Sequence, residues 1–358
     1  MKLRTLLFAL LCSSIPAIQA QDTLLLFHPT AYNLDLMDSL VQQGLLDLEG
    51  YHILGVYHSG EAYSYESALE KASEHPDGIF SLQEIKGQLG PEVVYEVNAC
   101  TPIFEKLFNK SEGALFLGGP DIPPAMYNEA IHLLTNVTDP YRHYLEASFI
   151  FHLLGGHHDP SWLAWMKSKN HYLISGICLG MQTMNVATGG TMIQDIPSEV
   201  YGVWTAEEIL DMPTDQVHRN YIDMLETDCA QPTSYHFHQV ELIKGSFLQK
   251  GLKFKNKMPP LVLSSHHQAI ESPGMGWEIA ATSMDGKIIE AIEHEHYPHV
   301  FGVQFHPEKP GLFDPQIVHP LSCKEQISFQ EVIKDSDSFT FHMAYWSYLG
   351  RILQKSRK

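Results

Sequence analysis

The chain has 358 residues, 44% of them hydrophobic and 18% charged, which is typical of a folded globular protein and excludes extensive disorder. Its formal net charge of −19 opposes binding to nucleic acid and to anionic lipid, and no basic stripe in the sequence compensates for it.

The first twenty residues have the pattern of a secretory signal peptide. Lys2 and Arg4 precede the apolar run LLFALLCSSIP, which is too short to span a bilayer, and the segment ends at Ala20, a small residue suited to cleavage. No later stretch is long and apolar enough for a transmembrane helix. The sequence therefore predicts export to a periplasm, an extracellular space or a lumen, with a mature chain over 21–358.

Strands and helices alternate through the first half of the chain. Short apolar runs predict strands, and apolar residues at helical spacing predict helices. The predicted strands cover 23–29, 51–58, 113–120 and 171–178, and the predicted helices cover 33–50, 138–155 and the residues after Cys178. The helix at 138–155 has a Thr-Asp-Pro start suited to capping. Because the strands are apolar, the alternation predicts an α/β three-layer sandwich with a mostly parallel central sheet.

The second half is richer in strands and ends in a helix. Predicted strands cover 236–243, 260–267, 277–283, 288–294 and 299–308, and the helix covers 338–356. The aromatic stripe of that helix indicates core packing. No repeat or linker divides the chain, so we expect a single domain. The segments near 59–112 and 197–235 fit the alternation least, and we interpret them as insertions or lids near the site.

The stretch SGICLGMQT places Cys178 between Gly176 and Gly180, where a predicted strand meets a predicted helix. This is the pattern of a nucleophile elbow, a turn so tight that its flanking residues must lack bulk. The start of a helix favours the thiolate form of a cysteine, and the N–H of Leu179 would face an oxyanion formed on attack. Taken alone, the motif also fits a buried cysteine in a tight turn.

Two further motifs make the elbow more specific. GVQFHPE places His306 and Glu308 two residues apart at a predicted strand end, where they would share a face, so that the carboxylate orients the imidazole and the imidazole faces the thiol. LGGPD follows an earlier strand, and the amides of Gly118 and Gly119 can supply an oxyanion donor. The pattern predicts acyl transfer through a cysteine nucleophile.

Five motifs together resemble class I glutamine amidotransferase-like proteins: LGGPDIPPAMY, SGICLGMQTMNVATGGTMIQDI, HQVELIKGSFL, SSHHQAI and FGVQFHPE. They look most like the γ-glutamyl hydrolases, notably the bacterial γ-glutamyl-γ-aminobutyrate hydrolases, over roughly residues 113–310. The resemblance implies a flavodoxin-like fold. It also implies Cys178 as nucleophile, His306 as base, Glu308 as its orienting partner, and an oxyanion hole at the backbone of Gly119 and Leu179.

The resemblance further implies a set of substrate contacts. His266 and His267 stand at the end of a predicted strand in SSHHQAI, and Gln182 lies beneath the elbow. Gly118 is assigned to substrate binding because its backbone can approach the ligand closely. For the three side chains, plain packing is the alternative.

No metal site or cofactor is predicted, although the chain has 21 histidines. The histidine-rich stretches EHEHYPH (293–299) and GGHHD (155–159) lack the spacing of a zinc-binding helix and have no accompanying cysteine. We therefore expect solvated histidines there.

The other cysteines beyond the signal segment are Cys100, Cys229 and Cys323. No CxxC pair occurs, which disfavours zinc ribbons and thioredoxin chemistry. Cys178 must stay unpaired to act as a nucleophile. One disulfide among the other three is compatible with export, and the sequence does not determine it.

We interpret the chain as an exported cysteine hydrolase of the omega-peptidase type that cleaves a small γ-glutamyl substrate through a glutamyl thioester. The leaving group and the oligomeric state stay open, a homodimer included. Two alternatives also stay open. One is a glutaminase subunit that feeds ammonia to a synthetase partner, against which export argues. The other is a non-catalytic exported binding protein of the same fold.

Overall fold

The computed structural model describes residues 22–226, 228–255, 258–334 and 336–357, so the predicted signal peptide at 1–20 lies outside the described residues. The strands are β1 Asp22–Phe27, β2 Tyr51–His58, β3 Phe80–Ile85, β4 Gly113–Phe116, β5 Leu173–Ile177, β6 Thr191–Ile193, β7 His236–Leu242, β8 Leu261–Ser264, β9 Ala269–Ser272, β10 Trp277–Ser283, β11 Ile289–His294, β12 Val300–Val303, β13 Val318–Pro320 and β14 Gln326–Ser328. The α-helices are α1 Ala31–Gln42, α2 Glu66–Glu74, α3 Thr101–Lys110, α4 Pro140–Leu154, α5 Leu179–Ala187, α6 Ala206–Leu210, α7 Ile222–Leu225, α8 Phe329–Ile333 and α9 Asp337–Ser356.

A ten-stranded sheet forms the middle layer, in the order β3-β2-β1-β4-β5-β12-β11-β10-β7-β8. The pairs from β3 to β12 are parallel, and those from β12 to β8 are antiparallel. The predicted α/β sandwich with a mostly parallel sheet is confirmed. The antiparallel part comes from the strand-rich second half, where short turns connect β10 to β11 and β11 to β12.

Alternate residues of β1 show why the sheet is covered on both faces. Leu24 and Leu26 pack in one apolar core with α1 and α9, whereas Leu25 and Phe27 pack in the other with α4 and α5. A strand buried on both faces reads as a continuous apolar run, as the sequence of β1 does. The aromatic stripe of α9 lies in the first core, and this prediction is confirmed.

Helix ends differ from the predicted ones in two places. The sequence predicts a helix over 33–50, but α1 ends at Gln42 because the chain turns at Gly44 with a positive φ of 69°. Asp139 occupies the N-cap position of α4 without a capping hydrogen bond. Its Oδ2 instead accepts a hydrogen bond from the backbone N–H of Ala62 at 2.8 Å. Asp139 therefore connects the start of α4 to the segment that follows β2.

The two segments interpreted as insertions differ from each other. Residues 59–112 hold α2, β3 and α3, and β3 pairs with β2 as the outer strand of the sheet, so they continue the alternation instead of interrupting it. Residues 197–235 hold only short helices, α6 and α7 among them. The disulfide joins Cys229 of this segment to Cys323, while Cys100 and Cys178 are free. Within the described residues, no helix combines the length and apolarity needed to cross a membrane.

Candidate active site

Cys178 lies at a sharp turn between β5 and α5. Its φ is +54°, a conformation that non-glycine residues rarely adopt and that functional sites often hold. A Cβ on Gly176 would lie 2.5 Å from the backbone of Gly180, and a Cβ on Gly180 would lie 2.1 Å from the carbonyl oxygen of Phe116. Both glycines are therefore steric requirements of the turn, as the motif predicts.

His306 and Glu308 meet beside this turn, although not as the sequence predicts. The predicted strand over 299–308 ends at Val303, so both residues lie in the following loop and not on one face of a strand. The loop is fixed by Trp346, whose Nε1–H donates to the Pro307 carbonyl at 2.8 Å. His306 Nδ1 and Glu308 Oε1 are 2.7 Å apart, and both side chains are buried.

The electrostatics of this pair favour a charged imidazole. Burial alone would lower the pKa of His306, but the Glu308 carboxylate, Tyr235 and the Cys178 thiol raise it well above its ordinary value. Burial would raise the pKa of Glu308, yet His306 and Lys309 lower it to about 2. The arrangement therefore stabilises an imidazolium next to the thiol, which is the state that activates a cysteine nucleophile.

The Gly118-Gly119 turn faces the thiol and the imidazole. A Cβ on Gly118 would lie 2.9 Å from His306 Cε1 and 3.6 Å from Cys178 Cβ. A Cβ on Gly119 would lie 2.9 Å from a methyl group of Leu179, so the two residues whose backbone is assigned to the oxyanion hole lie close together. The structure thus brings together the predicted catalytic and oxyanion residues.

Arg142 of α4 holds this turn, and sequence reasoning missed it. Its Nη2 donates to the carbonyls of Leu117 (2.8 Å) and Gly118 (3.1 Å), and its Nε donates to Glu146 Oε1 (2.9 Å). The N–H of Gly119 is antiparallel to the Gly118 carbonyl across a trans peptide, so Arg142 fixes the direction of the assigned oxyanion donor. An Arg–Glu pair at i, i+4 in the predicted helix was the available signal.

A first cleft of about 370 Å³ opens on one side of Cys178. His267 lines it and lies between two carboxylates, with Nε2 3.1 Å from Asp121 and Nδ1 3.2 Å from Asp195. Burial opposes protonation, but these carboxylates raise the pKa of His267 to about 9. Arg219, which pairs with Asp223, adds a second cation to the cleft wall.

A second cleft of about 380 Å³ opens on the other side of Cys178 and contains His306. Tyr235 packs edge-on against the His306 ring, with centroids 5.3 Å apart. Lys309 Nζ lies 3.4 Å from Glu308 Oε1 and over the rings of Tyr235 and Tyr32. His306 and Lys309 thus both lie against the same carboxylate oxygen of Glu308, Oε1. Lys309, adjacent to the predicted pair, was missed because the motif ends at Glu308.

The predicted substrate contacts separate in the structure. Gly118 lines the second cleft, while Gln182 and His267 line the first. Gln182 Nε2 donates within the protein, to the Gln268 carbonyl and Gln304 Oε1, both at 3.2 Å. His266 also lines the first cleft, with a ring that is only 2% exposed and an Nε2 that lies 3.8 Å from Glu290 Oε1, so its contact with the substrate stays a prediction.

Comparison with known proteins adds a family match. A family model described as Peptidase C26 matches residues 80–308, more than half of the chain. The chain is similar to protein NtpR of Enterococcus hirae, with 29% identity over 211 residues that cover 56% of this chain and 71% of that protein. It is also similar to the putative glutamine amidotransferase-like protein YvdE of Lactococcus lactis, with 31% identity over 193 residues that cover 53% and 63%. A solved glutamine amidotransferase from Thermotoga maritima matches 85% of this chain and 98% of its own, with 14% identity and a TM-score of 0.40.

Proposed function

Because the chain belongs to the peptidase C26 family, we propose that it is an exported cysteine hydrolase that cleaves γ-glutamyl amide bonds. One observation carries the proposal. Cys178 stands at a strained turn beside His306, whose Nδ1 is 2.7 Å from Glu308, and the glycine turn at Gly118 closes over them. This set of groups is the one that covalent amide hydrolysis needs.

Each group has one task in the reaction. The Cys178 thiolate attacks the side-chain carbonyl carbon of the glutamyl group, and the N–H groups of Gly119 and Leu179 stabilise the oxyanion. His306 gives its proton to the leaving nitrogen as the C–N bond breaks and the thioester remains. His306 then takes a proton from water, whose oxygen attacks the thioester, and glutamate leaves while Cys178 is restored.

The two clefts indicate which way round the substrate binds at Cys178. His306 must reach the leaving nitrogen, and it lines the second cleft but not the first. The leaving amine therefore occupies the second cleft, and the glutamyl group extends into the first. This assignment makes Lys309, Tyr32 and Tyr235 contacts of the leaving group.

The charges of the first cleft support an amino-acid head group. The α-carbon of a γ-glutamyl group carries a carboxylate and an ammonium, which call for a cation and an anion at one place. Arg219 and the His267 imidazolium supply the positive charge, and Asp121 and Asp195 supply the negative charge. In an α-linked glutamyl peptide the α-carboxyl forms the scissile amide, so the α-carbon carries an ammonium but no carboxylate.

Two features support export. The sequence of residues 1–20 has the signal-peptide pattern, and the disulfide between Cys229 and Cys323 belongs to oxidising compartments.

The test is the release of p-nitroaniline from γ-glutamyl p-nitroanilide, with α-glutamyl p-nitroanilide as the matched control. We expect turnover of the γ-linked compound alone, and Cys178→Ala should lower kcat by at least about 10³-fold. Equal turnover by the alanine variant would reject the nucleophile. Equal turnover of both anilides would reject the γ-glutamyl specificity and keep the hydrolase.

A glutaminase is the second candidate, because YvdE and other relatives are described as putative glutamine amidotransferases. Ammonia release from free glutamine that exceeds hydrolysis of γ-glutamyl compounds would favour it. A folded chain whose Cys178 fails to react with an alkylating glutamine analogue would favour a non-catalytic binding protein instead.

A further inference from the structure

Three histidines and one glutamate meet in the interior and form a cluster that does not include the thiol. His238 comes from β7, Glu290 from β11, His266 from the loop after β8 and His218 from the segment before α7. All four are buried, and one potential ligand atom from each lies within 4.8 Å of every other. The distances to Glu290 Oε1 are 3.1 Å from His218 Nδ1, 3.8 Å from His238 Nε2 and 3.8 Å from His266 Nε2.

These groups lack the partners that buried polar atoms normally have. Within the part of the chain that the structure describes, neither carboxylate oxygen of Glu290 accepts a hydrogen bond. Both ring nitrogens of His218 and the Nε2 of His266 are likewise without hydrogen bonds. Burying a carboxylate in this way is strongly destabilising unless a cation compensates it, and protein interiors leave few polar atoms unpaired.

The histidines are prepared as neutral ligands. The Nδ1–H of His266 donates to the Gln268 carbonyl at 2.9 Å, and that of His238 donates to the Gln239 carbonyl at 3.2 Å. A carbonyl can only accept, so in each neutral ring Nε2 is the unprotonated nitrogen, and it lies 3.8 Å from Glu290 Oε1.

We propose that His218, His238, His266 and Glu290 bind a divalent transition-metal ion, zinc above all, at a structural site. Ligand atoms around tetrahedral zinc lie about 3.3 Å apart, given bonds of about 2.0–2.1 Å, and the three distances to Glu290 bracket that value. Three imidazole ligands suit zinc and not magnesium or calcium, which take oxygen ligands. Four protein ligands in a closed, buried site leave no position for a substrate.

One local change accompanies binding. The Ser264 hydroxyl now lies 2.8 Å from His238 Nε2 and must turn aside for that nitrogen to reach the ion. The other group of potential ligands in the described residues, Glu226 with Cys229 and Cys323, is not comparable, because its two sulfurs form the disulfide.

The ion would connect the first cleft to the sheet. Arg219 directly follows His218 in the sequence, and His267 directly follows His266. Arg219 and His267 both line the first cleft. The backbone N–H of His266 donates to the His218 carbonyl at 3.1 Å, so the two segments already touch. The ion would hold them against β7 and β11 without taking part in the chemistry at the thiol. The proposal stands independently of the hydrolase activity.

The test is zinc binding by the full chain, purified without a histidine tag and freed of metal by a chelator. Competition with a chromophoric chelator should show one equivalent of Zn²⁺, and Glu290→Gln and His218→Gln should each weaken binding by at least 100-fold. His294→Gln is the matched control, since His294 is also a buried histidine at the end of β11 but stands outside the cluster. It should bind zinc as the wild type does.

The free thiols require their own controls. Cys178→Ala should bind the same single equivalent, because the catalytic thiol is not a ligand. X-ray absorption at the zinc edge of the loaded wild type should show nitrogen and oxygen neighbours with imidazole scattering and no sulfur, a result that does not depend on any variant folding. No stoichiometric binding, a sulfur neighbour, or unchanged affinity in folded Glu290→Gln would each overturn the proposal.

Discussion

Glu308→Gln is the substitution that tests the site most directly, because it removes one charge and keeps the shape of the side chain. Oε1 of Glu308 lies 2.7 Å from His306 Nδ1, and the residue is 2% exposed. A glutamine oxygen can still accept from Nδ1–H. The ring therefore keeps its orientation, and the experiment isolates the electrostatic contribution.

The magnitude follows from the protonation equilibrium of the carboxylate. Against the effect of burial, His306 and Lys309 lower the pKa of Glu308 from 4.5 to about 2. With 1.36 kcal/mol for each tenfold change in that equilibrium, the carboxylate gains about 3 kcal/mol from its neighbours. If most of this gain stabilises the imidazolium, kcat/KM should fall by about 10²-fold in the variant.

The assay is the pH dependence of kcat/KM for γ-glutamyl p-nitroanilide. Loss of the charge lowers the pKa of His306, so the imidazolium loses its proton earlier and the basic limb moves to lower pH. Glu293→Gln, the same substitution on β11 at a site remote from the thiol, should leave both quantities unchanged. An unchanged kcat/KM and an unmoved basic limb in Glu308→Gln would refute the electrostatic role.

The same substitution has a signature in stability. The folded pKa of Glu308 is depressed, so its stabilising contribution is present above the ordinary pKa near 4.5 and is lost as the pH falls toward about 2. Thermal unfolding should show a weaker loss of stability across that window in the variant than in the wild type.

Three further substitutions test the scaffold. Arg142→Met should lower kcat by about 10²-fold through the misdirected oxyanion donor, and it should destabilise the protein by about 3–5 kcal/mol because Glu146 remains buried and unpaired. Gly180→Ala should cost about 3 kcal/mol of unfolding free energy, because its Cβ would lie 2.1 Å from the Phe116 carbonyl oxygen. Cys229→Ser should cost about 2–4 kcal/mol, since the disulfide closes a loop with a sequence separation of 94.

Each of these has a control in the chain. Adding Glu146→Met to Arg142→Met should recover stability but not kcat, and recovery of both would contradict the positioning role. Gly202 has a positive φ of 68°, and no atom lies within 4 Å of the position its Cβ would take. Urea unfolding should therefore show a smaller loss of unfolding free energy for Gly202→Ala than for Gly180→Ala. Reduction of the wild type should reproduce the loss seen for Cys229→Ser.

The predicted part of the site lies where chemistry is encoded locally. The elbow at Cys178 is a five-residue pattern whose glycines report a close approach of backbone atoms, and His306 and Glu308 are separated by one residue. Such patterns can be recognised in the sequence because residues that are close in the chain are also close in the structure. Two strands, β2 and β10, have the predicted bounds, whereas β12 ends at Val303 and β3 lies in a segment that the sequence led us to interpret as an insertion.

The missed parts depend on contacts between distant segments. The buried cluster joins His218, His238, His266 and Glu290, which become neighbours only through the strand order β11-β10-β7-β8. No spacing rule for zinc helices covers ligands from four elements. Arg142 was missed for a related reason, because its partners are backbone carbonyl groups of a turn more than twenty residues earlier in the chain. Every residue has a backbone carbonyl, so no residue type in the sequence indicates such a contact.

The three fates of the cysteines follow from their surroundings and not from their spacing. Cys229 is bonded to Cys323, whereas Cys100 is buried in an apolar core that raises its pKa to about 11, so it stays a thiol of low reactivity. Cys178 is also buried, but it faces His306 across a glycine turn and lines both clefts. A chain that pairs Cys229 with Cys323 and leaves Cys178 free can fold in an oxidising compartment without consuming the thiol it needs. The proposed export and the proposed cysteine chemistry are therefore compatible.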